Sequence, residues 1–390
     1  HDDDDASAKS GSRFHRSYER AAPANGFASD RTIVVMPRGI STAGLPLHLT
    51  DEIVDISRQY PMYVMPVEQL FELDRLPTHE EAFEKLVVWE QGMGDAVFVS
   101  HTWLSFNHPD DAESTKLRAL QELLKTLVAG KLKVPANIFM ATLAKVKSIP
   151  AKRMAKIKYV WLDFFSVPQA DPTSQLLAIR SIFTYVQAST HFLVLAGPWV
   201  HESGESRDDY AWGSRGWCRL EALANRLSPT NTPYLLARSS STIENHGSAG
   251  VNGVMFGTWF SGMVVGKGSF SVESDRAALG PIIKAMLAER MKLALKEGEL
   301  HFYRLMHSLS ASVLEGTGAS FQRESTLDEW MDAMRMSGPA DGEKSGWTPL
   351  RYACFTGRAD LCEELISRGA KVNLAIRKPC QYSGTLATQN

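Results

Sequence analysis

The chain has 390 residues, 44% of them hydrophobic and 22% charged, with a formal net charge of −2 at pH 7. That length favours two or three units, and the composition supplies a core of ordinary size. The near-zero charge excludes a bulk attraction for nucleic acid or anionic membranes, so such a partner needs a local patch, and no run approaches the ~18 apolar residues of a membrane-spanning helix.

Residues 1–30 are polar and rich in Asp, Ser, Ala and Arg, the composition of a disordered tail in which Asp2–Asp5 is solvated. Order is expected to begin at Thr32–Met36. Residues 31–94 then form an extension packing on the core, with apolar positions from Met62 to Leu73. Ala96–Ser100 (AVFVS) is a short β-branched run suited to a strand buried on both faces. Within Ala112–Val128, Leu117, Leu120, Leu124 and Leu127 recur at helical spacing. Lys131–Lys158 holds eight Lys or Arg residues and no acid. It reads as a solvated helical insertion, and as a positive patch it suits phosphates, anionic lipid or an acidic partner. Tyr159–Phe165 (YVWLDFF) is a second strand, Gln175–Ala188 a second helix and Phe192–Ala196 a third strand. Ser214–Leu227 is a third helix and Tyr234–Ala237 a fourth strand.

Strands alternating with helices over residues 95–240 predict an α/β fold: a parallel sheet with helices on both faces. Ligands of such sheets sit at the carboxyl ends of the strands, which puts Ser100–His108 and Asp163–Asp171 beside the expected site. Residues 241–274 are rich in Gly and Ser and read as a long loop or weak hairpin. A helical extension, 275–336, follows. It contains two helices around Gly298 and a short one over Thr326–Met336, capped reciprocally by Thr326 and Glu329. The four cysteines, Cys218, Cys354, Cys362 and Cys380, form no Cys-x-x-Cys pair and no zinc-like spacing. They read as reduced thiols of a cytoplasmic protein. His101 and His108 lack companion ligands, so no metal is expected.

Four segments occur in this order: VFVSHTW, YVWLDFFSVPQ, AIRSIFTYVQASTHFLVL and RGWCRLEAL. With them, residues 95–240 resemble the Toll/interleukin-receptor (TIR) family, whose sheet is flavodoxin-like. In that family a strand ending in Ser opens the domain and an acid ends the second strand; an "AI…S" helix and a W-C-x-x-E helix follow. The matching residues are Ser100, Asp163, Ala178 with Ile179, Ser189, and Trp217, Cys218 and Glu221. The same segments are similar to the heterokaryon-incompatibility family, with its L-S-H-x-W opening and W-[LI]-D…Q strand. Ser100, His101, Trp103, Trp161, Asp163 and Gln169 match that pattern. The basic insertion and the long Ser203–Tyr210 loop depart from the TIR arrangement.

The TIR resemblance implies signalling through self-association. It also implies an alternative, hydrolysis of NAD to nicotinamide and an ADP-ribose product, with Glu221 as catalytic residue and no cofactor required. A carboxylate beside the ribose stabilises the oxocarbenium-like centre formed when the nicotinamide bond breaks. Trp103 and Phe106 would stack on the departing ring, and Arg215 or Arg219 would meet the diphosphate. Ser100 and Asp163 complete the expected substrate-binding set. Read as plain packing, the same helix buries Trp217, Leu220, Ala224 and Leu227, with Glu221 at the border pairing with Arg219 or Arg226. Asp163 is then a strand-end acid accepting from loop amides. Cys218 has no His in motif spacing, which argues against a nucleophile.

Gly346–Asn373 (GWTPLRYACFTGRADLCEELISRGAKVN) resembles an ankyrin repeat. Thr348-Pro349-Leu350 opens its first helix, Gly357 ends it, and Leu361–Ile366 builds the second. Tyr352 and Ala353 continue the T-P-L-H-x-A signature, with Arg351 in place of His. One repeat cannot bury its own face. The repeat in residues 345–390 is therefore expected either to be followed by further repeats beyond Asn390 or to pack on the Thr326–Met336 helix. The repeat implies protein partners; nucleic acid is not expected. The leading reading is a TIR-like or heterokaryon-incompatibility-like module coupled to ankyrin-mediated partner binding. NAD glycohydrolysis is the alternative, and a phosphate- or lipid-binding role of the basic insertion ranks third.

Overall fold

The computed structural model describes residues 53–230, 232–248, 263–342 and 346–374. The readings for the tail, for Thr32–Met36, for Cys380 and for part of the Gly/Ser-rich stretch lie outside them. The Met62–Leu73 stretch holds strand β1 (Tyr63–Pro66) and, directly after it, helix α1 (Val67–Phe71). Helix α2 (His79–Ala82) has a reciprocal Thr78–Glu81 cap and precedes the two-residue strand β2 (Val87–Val88). The expected first strand and helix are β3 (Asp95–His101) and α3 (Thr115–Val128). The basic insertion carries α4 (Ile138–Ala144) and α5 (Ala151–Met154) and leads into β4 (Ile157–Leu162).

After Leu162 the chain coils into α6 (Asp163–Ser166), so the second strand ends three residues before Phe165. The Ser166 hydroxyl accepts the Leu162 N–H at 3.3 Å, tightening this turn. The expected single helix 175–188 is two, α7 (Pro172–Arg180) and α8 (Ile182–Ala188). Ser181 separates them: its hydroxyl donates to the Leu177 carbonyl at 2.8 Å and accepts the Gln59 and Tyr60 N–H groups. Strand β5 (His191–Leu195) follows, then α9 (Asp209–Ser214), α10 (Gly216–Leu227), β6 (Pro233–Ala237) and β7 (Ile243–Ser248). The extended Arg215 divides α9 from α10.

The strand order is β2-β1-β4-β3-β5-β6-β7. The four strands read from the sequence, β4, β3, β5 and β6, are mutually parallel. Both edges are antiparallel, which makes the sheet mixed and corrects the all-parallel expectation. The N-terminal extension does more than pack on the core, because it supplies β1 and β2. Along the central strands the side chains alternate between two apolar clusters, as a period of two requires. Phe98, Trp161, Phe192 and Val194 face one side, under α7, α8, α10 and the later helices. Val97, Val160, Leu193 and Leu195 face the other, under α1 and α3. Phe98 stacks on Trp161 at 4.1 Å and on Phe192 at 5.5 Å across three strands.

Helices α11 (Glu273–Glu297) and α12 (Leu300–Leu314) are separated at Gly298, whose φ of 74° stops α11 in a left-handed cap. Helix α13 (Leu327–Ala333) carries the expected Thr326–Glu329 capping box. The terminal pair is α14 (Pro349–Phe355) and α15 (Ala359–Ser367), joined through Gly357 at φ 69°. Helix α12 packs on α14, and α13 packs on α15. Between them lies a third apolar cluster of Leu305, Trp330, Met334, Trp347, Tyr352 and Leu365 among others.

Candidate functional site

Strands β3 and β4 run side by side, Val99 opposite Leu162, so their carboxyl ends deliver Ser100 and His101 next to Asp163. Helix α10 packs against β3 from one face. Its start is held by a close backbone approach. The Gly216 N–H donates to the Ser269 carbonyl at 2.9 Å, and a Cβ on Gly216 would lie 2.0 Å from the Phe270 ring. Glycine is therefore required where residues 263–270 seat on α10.

Two hydrogen-bonded chains meet at this strand end. In the first, the Trp212 indole N–H donates to Ser100 Oγ at 2.9 Å, and Ser100 donates to Glu221 Oε2 at 2.5 Å. An indole can only donate, so Ser100 directs its proton to the carboxyl group. Glu221 is 9% exposed. Burial pushes its pKa up to about 8, opposed by the Ser100 hydrogen bond and reinforced by the Asp163 charge.

In the second chain, His101 Nε2 lies 2.9 Å from Asp163 Oδ1, and the Trp103 indole donates to Asp163 Oδ2 at 3.2 Å. The Phe164 N–H adds a bond of 2.7 Å to Oδ1. Burial acts to raise the Asp163 pKa, but His101 and these donors outweigh it and hold the carboxyl below its ordinary value. Behind His101 lies Lys116, 1% exposed. Its amine contacts three acceptors: the Thr102 carbonyl, the Pro109 carbonyl at 2.5 Å and His101 Nδ1 at 3.2 Å. His101 Nδ1 faces both that amine and, at 3.3 Å, the Thr102 carbonyl, while Nε2 faces Asp163. Burial pushes Lys116 down to about 7, against the attraction of Asp110 and Asp163. The His101 side chain is 1% exposed and the Asp163 side chain 36%, so this chain reaches solvent at the carboxylate.

Of the residues singled out in the sequence, Ser100, Trp103, Asp163 and Glu221 come together here. Phe106 stands on the outer loop, 59% exposed, its ring 4.8 Å from His201. Arg215 donates to Ser271 Oγ at 2.6 Å. Arg219 donates to the Gly213 and Val264 carbonyls at 2.7 and 2.8 Å, holding the start of α10 to the following segment. His108 turns its two ring nitrogens to the Leu76 and Asp110 carbonyls. Among the described residues, no group of three or more His, Cys, Asp or Glu is placed to hold a metal.

The packing of α10 corrects the stripe drawn from periodicity. Trp217 is only half-buried, donating to Asp275 Oδ2 at 3.0 Å, whereas Cys218 and every residue from Leu220 to Leu227 are buried. Glu221 pairs with Ser100 and not with Arg219 or Arg226; Arg226 lies over the Tyr234 ring at 5.2 Å. Burial raises the Cys218 thiol well above its ordinary pKa, which keeps it protonated. Sequence reasoning missed Lys116 and Trp212. A lysine opening an amphipathic helix reads as solvent-facing, while Trp212, a lone indole after the polar 203–210 stretch, was a usable signal.

A second candidate surface is the terminal helix pair. Its inner side is sealed by Trp330, Trp347 and Tyr352, with Arg368 reaching Asp328 at 2.5 Å across the junction. Ile366 on its second helix is 47% exposed, and Val372, in the turn that follows the pair, is 64% exposed. The family model of the ankyrin repeat matches residues 345–377, covering this pair. No curated protein and no solved structure matches the chain. Among the described residues, no helix is long and apolar enough to cross a membrane.

Proposed function

We propose that the chain is an interaction protein in which a TIR-like or heterokaryon-incompatibility-like α/β unit, acting by self-association, is coupled to partner capture by the ankyrin repeat. The observation that carries this reading is the ankyrin match on a helix pair that keeps Ile366 exposed, with Val372 exposed in the turn after it. Stacked repeats of this kind present protein-binding surfaces. The α/β part of the reading is supported by the order β4-β3-β5-β6. In chain order of those strands this is 2-1-3-4, the beginning of the flavodoxin-like arrangement. Ser100, Asp163 and Glu221 cluster at the carboxyl ends, where such sheets place their function. Deleting residues 345–390 is expected to abolish capture of protein partners while the sheet keeps its circular dichroism and its own unfolding transition. The third apolar cluster is separate from the two flanking the sheet, which motivates that expectation. Global unfolding, or undiminished capture, would count against it.

The Ser100–Glu221 contact supports a second reading, NAD glycohydrolysis. An ionised Glu221 would stabilise a ribosyl cation, and a carboxyl group with its pKa near 8 ionises only above neutrality. Nicotinamide release from NAD by concentrated pure protein should therefore climb with pH toward that value. Glu221→Gln should lower it more than ~100-fold, the loss of about 3 kcal/mol of transition-state stabilisation. No release at any pH would leave the interaction reading alone.

A further inference from the structure

The basic insertion is a built lobe. Val134 and Ile149 pair across an antiparallel bridge, drawing its two ends together. The Asn137 side chain accepts the Phe139 and Met140 N–H groups and donates to Glu244 at 3.0 Å. Asn245, in the edge strand β7, donates its amide to the Lys147 carbonyl at 2.9 Å and exchanges backbone bonds with Pro135 and Asn137. Val134, Met140, Val146, Ile149 and Met154 are buried beneath the lobe.

What this anchoring leaves outside is unusual in two respects. All eight basic residues, Lys131, Lys133, Lys145, Lys147, Lys152, Arg153, Lys156 and Lys158, are exposed. None is in an ion pair among the described residues; Glu244, the acid that touches the lobe, is shared by Arg238 and His246. Beside them, on the first turn of α4, Ile138 is 81% and Phe139 60% exposed, though the five apolar residues named above fold inward. A lobe selected only for solubility would not leave two adjacent large apolar side chains bare in the stretch between Lys133 and Lys145.

We propose that this lobe docks on an anionic membrane surface, with the lysines among the headgroups and Ile138 and Phe139 entering the headgroup–acyl boundary. Basic charge around an apolar tip is the combination that holds a protein at a bilayer interface. Seven of the eight charges are lysines, compact point charges suited to a diffuse anionic surface and lacking the guanidinium fork that reads individual phosphates. A branched aliphatic such as Ile138 has no face on which a nucleobase could stack, which favours lipid over nucleic acid. The inference is independent of the ankyrin and Glu221 readings, since it uses neither surface.

The test is co-sedimentation of the full chain with vesicles of phosphatidylcholine containing about one-third phosphatidylserine, beside pure phosphatidylcholine vesicles and duplex DNA. Binding is expected on the anionic vesicles alone, weakening as salt shortens the screening length. Replacing Lys145→Gln, Lys147→Gln, Lys152→Gln and Arg153→Gln together should weaken it roughly fivefold per charge, on the order of several hundredfold. Ile138→Ser with Phe139→Ser should weaken it by on the order of tenfold or more at unchanged charge. All six side chains are exposed, so circular dichroism should report an intact fold. Absence of binding to anionic vesicles, equal or tighter binding to DNA, or full retention by either variant would overturn the proposal.

Discussion

Glu221→Gln is expected to stabilise the folded chain by an amount that grows with pH, from near zero at about pH 5 to several kcal/mol at about pH 8. In the unfolded chain this carboxyl ionises near 4.5, whereas in the fold burial holds its proton until about 8. Between those values the folded state binds one proton more than the unfolded state. Stability therefore falls by about 1.4 kcal/mol per pH unit through that window and levels off above it. Glutamine keeps the acceptor for Ser100 and removes the titration. His191 and Lys116, pushed down to about 4 and about 7, give the opposite slope, but they do so in both proteins and drop out of the difference. Urea unfolding of the pair at several pH values measures it. A gap that does not widen with pH would mean that Glu221 is ionised in the fold throughout. Should the protein also cleave NAD, the same substitution trades activity for stability, as a strained site does.

Trp330→Ala is expected to cost about 3–5 kcal/mol, and to cost it locally. Trp330 is 2% exposed in the cluster that seats the terminal helix pair on α12 and α13. Its loss opens a cavity between α13 and the repeat, a junction that the Arg368–Asp328 pair still spans, while Tyr303 and Arg304 keep α13 tied to α12 through the Ala333 and Met334 carbonyls. Helix α12 should survive, because Phe302, Tyr303, Met306 and Leu309 face the separate cluster on the sheet. Hydrogen exchange should thus accelerate in α13, α14 and α15 and stay slow in β3, β4 and β5. Acceleration of both together would show one cooperative unit.

What could be read in the sequence was what nearby residues decide among themselves. Each of the four parallel strands was legible because a run such as AVFVS is short, apolar at consecutive positions and β-branched, which favours a strand covered on both faces. The Thr326–Glu329 cap, the break at Gly298 and the two helices of the repeat depend on groups within a few residues of each other. These local terms take the same form in any surrounding, and they were read with small errors in their ends. Strands β1 and β2 escaped, and β7 reads only as part of a long loop or weak hairpin over 241–274. The first two are four and two residues long, too short to show a period, and β7 (IENHGS) has no apolar alternation. Their partners, not their sequences, make them strands.

The site divides in the same way. Ser100, Asp163 and Glu221 could be named from the segments that carry them, but how they are used came from contacts far apart in the chain. Ser100 and Glu221 are 121 residues apart in sequence and 2.5 Å apart in space, and burial at that contact, against the opposing pull of the Ser100 hydrogen bond, makes Glu221 a proton-holding group instead of a surface ion-pair partner. Lys116 stands four residues before Leu120 and eleven before Leu127, at the spacing of the buried face, and only its charge marks it for solvent. The Thr102 and Pro109 carbonyls and His101 Nδ1 give it three acceptors inside the protein, and its burial follows from them. In the basic insertion the sequence determined the charge, and the fold decided its display: the bridge and β7 draw five apolar residues inward and leave all eight charges, with Ile138 and Phe139, outside. Composition and periodicity constrain a residue's preferences. Solvation depends on which distant groups arrive beside it, and only the closed tertiary structure settles that.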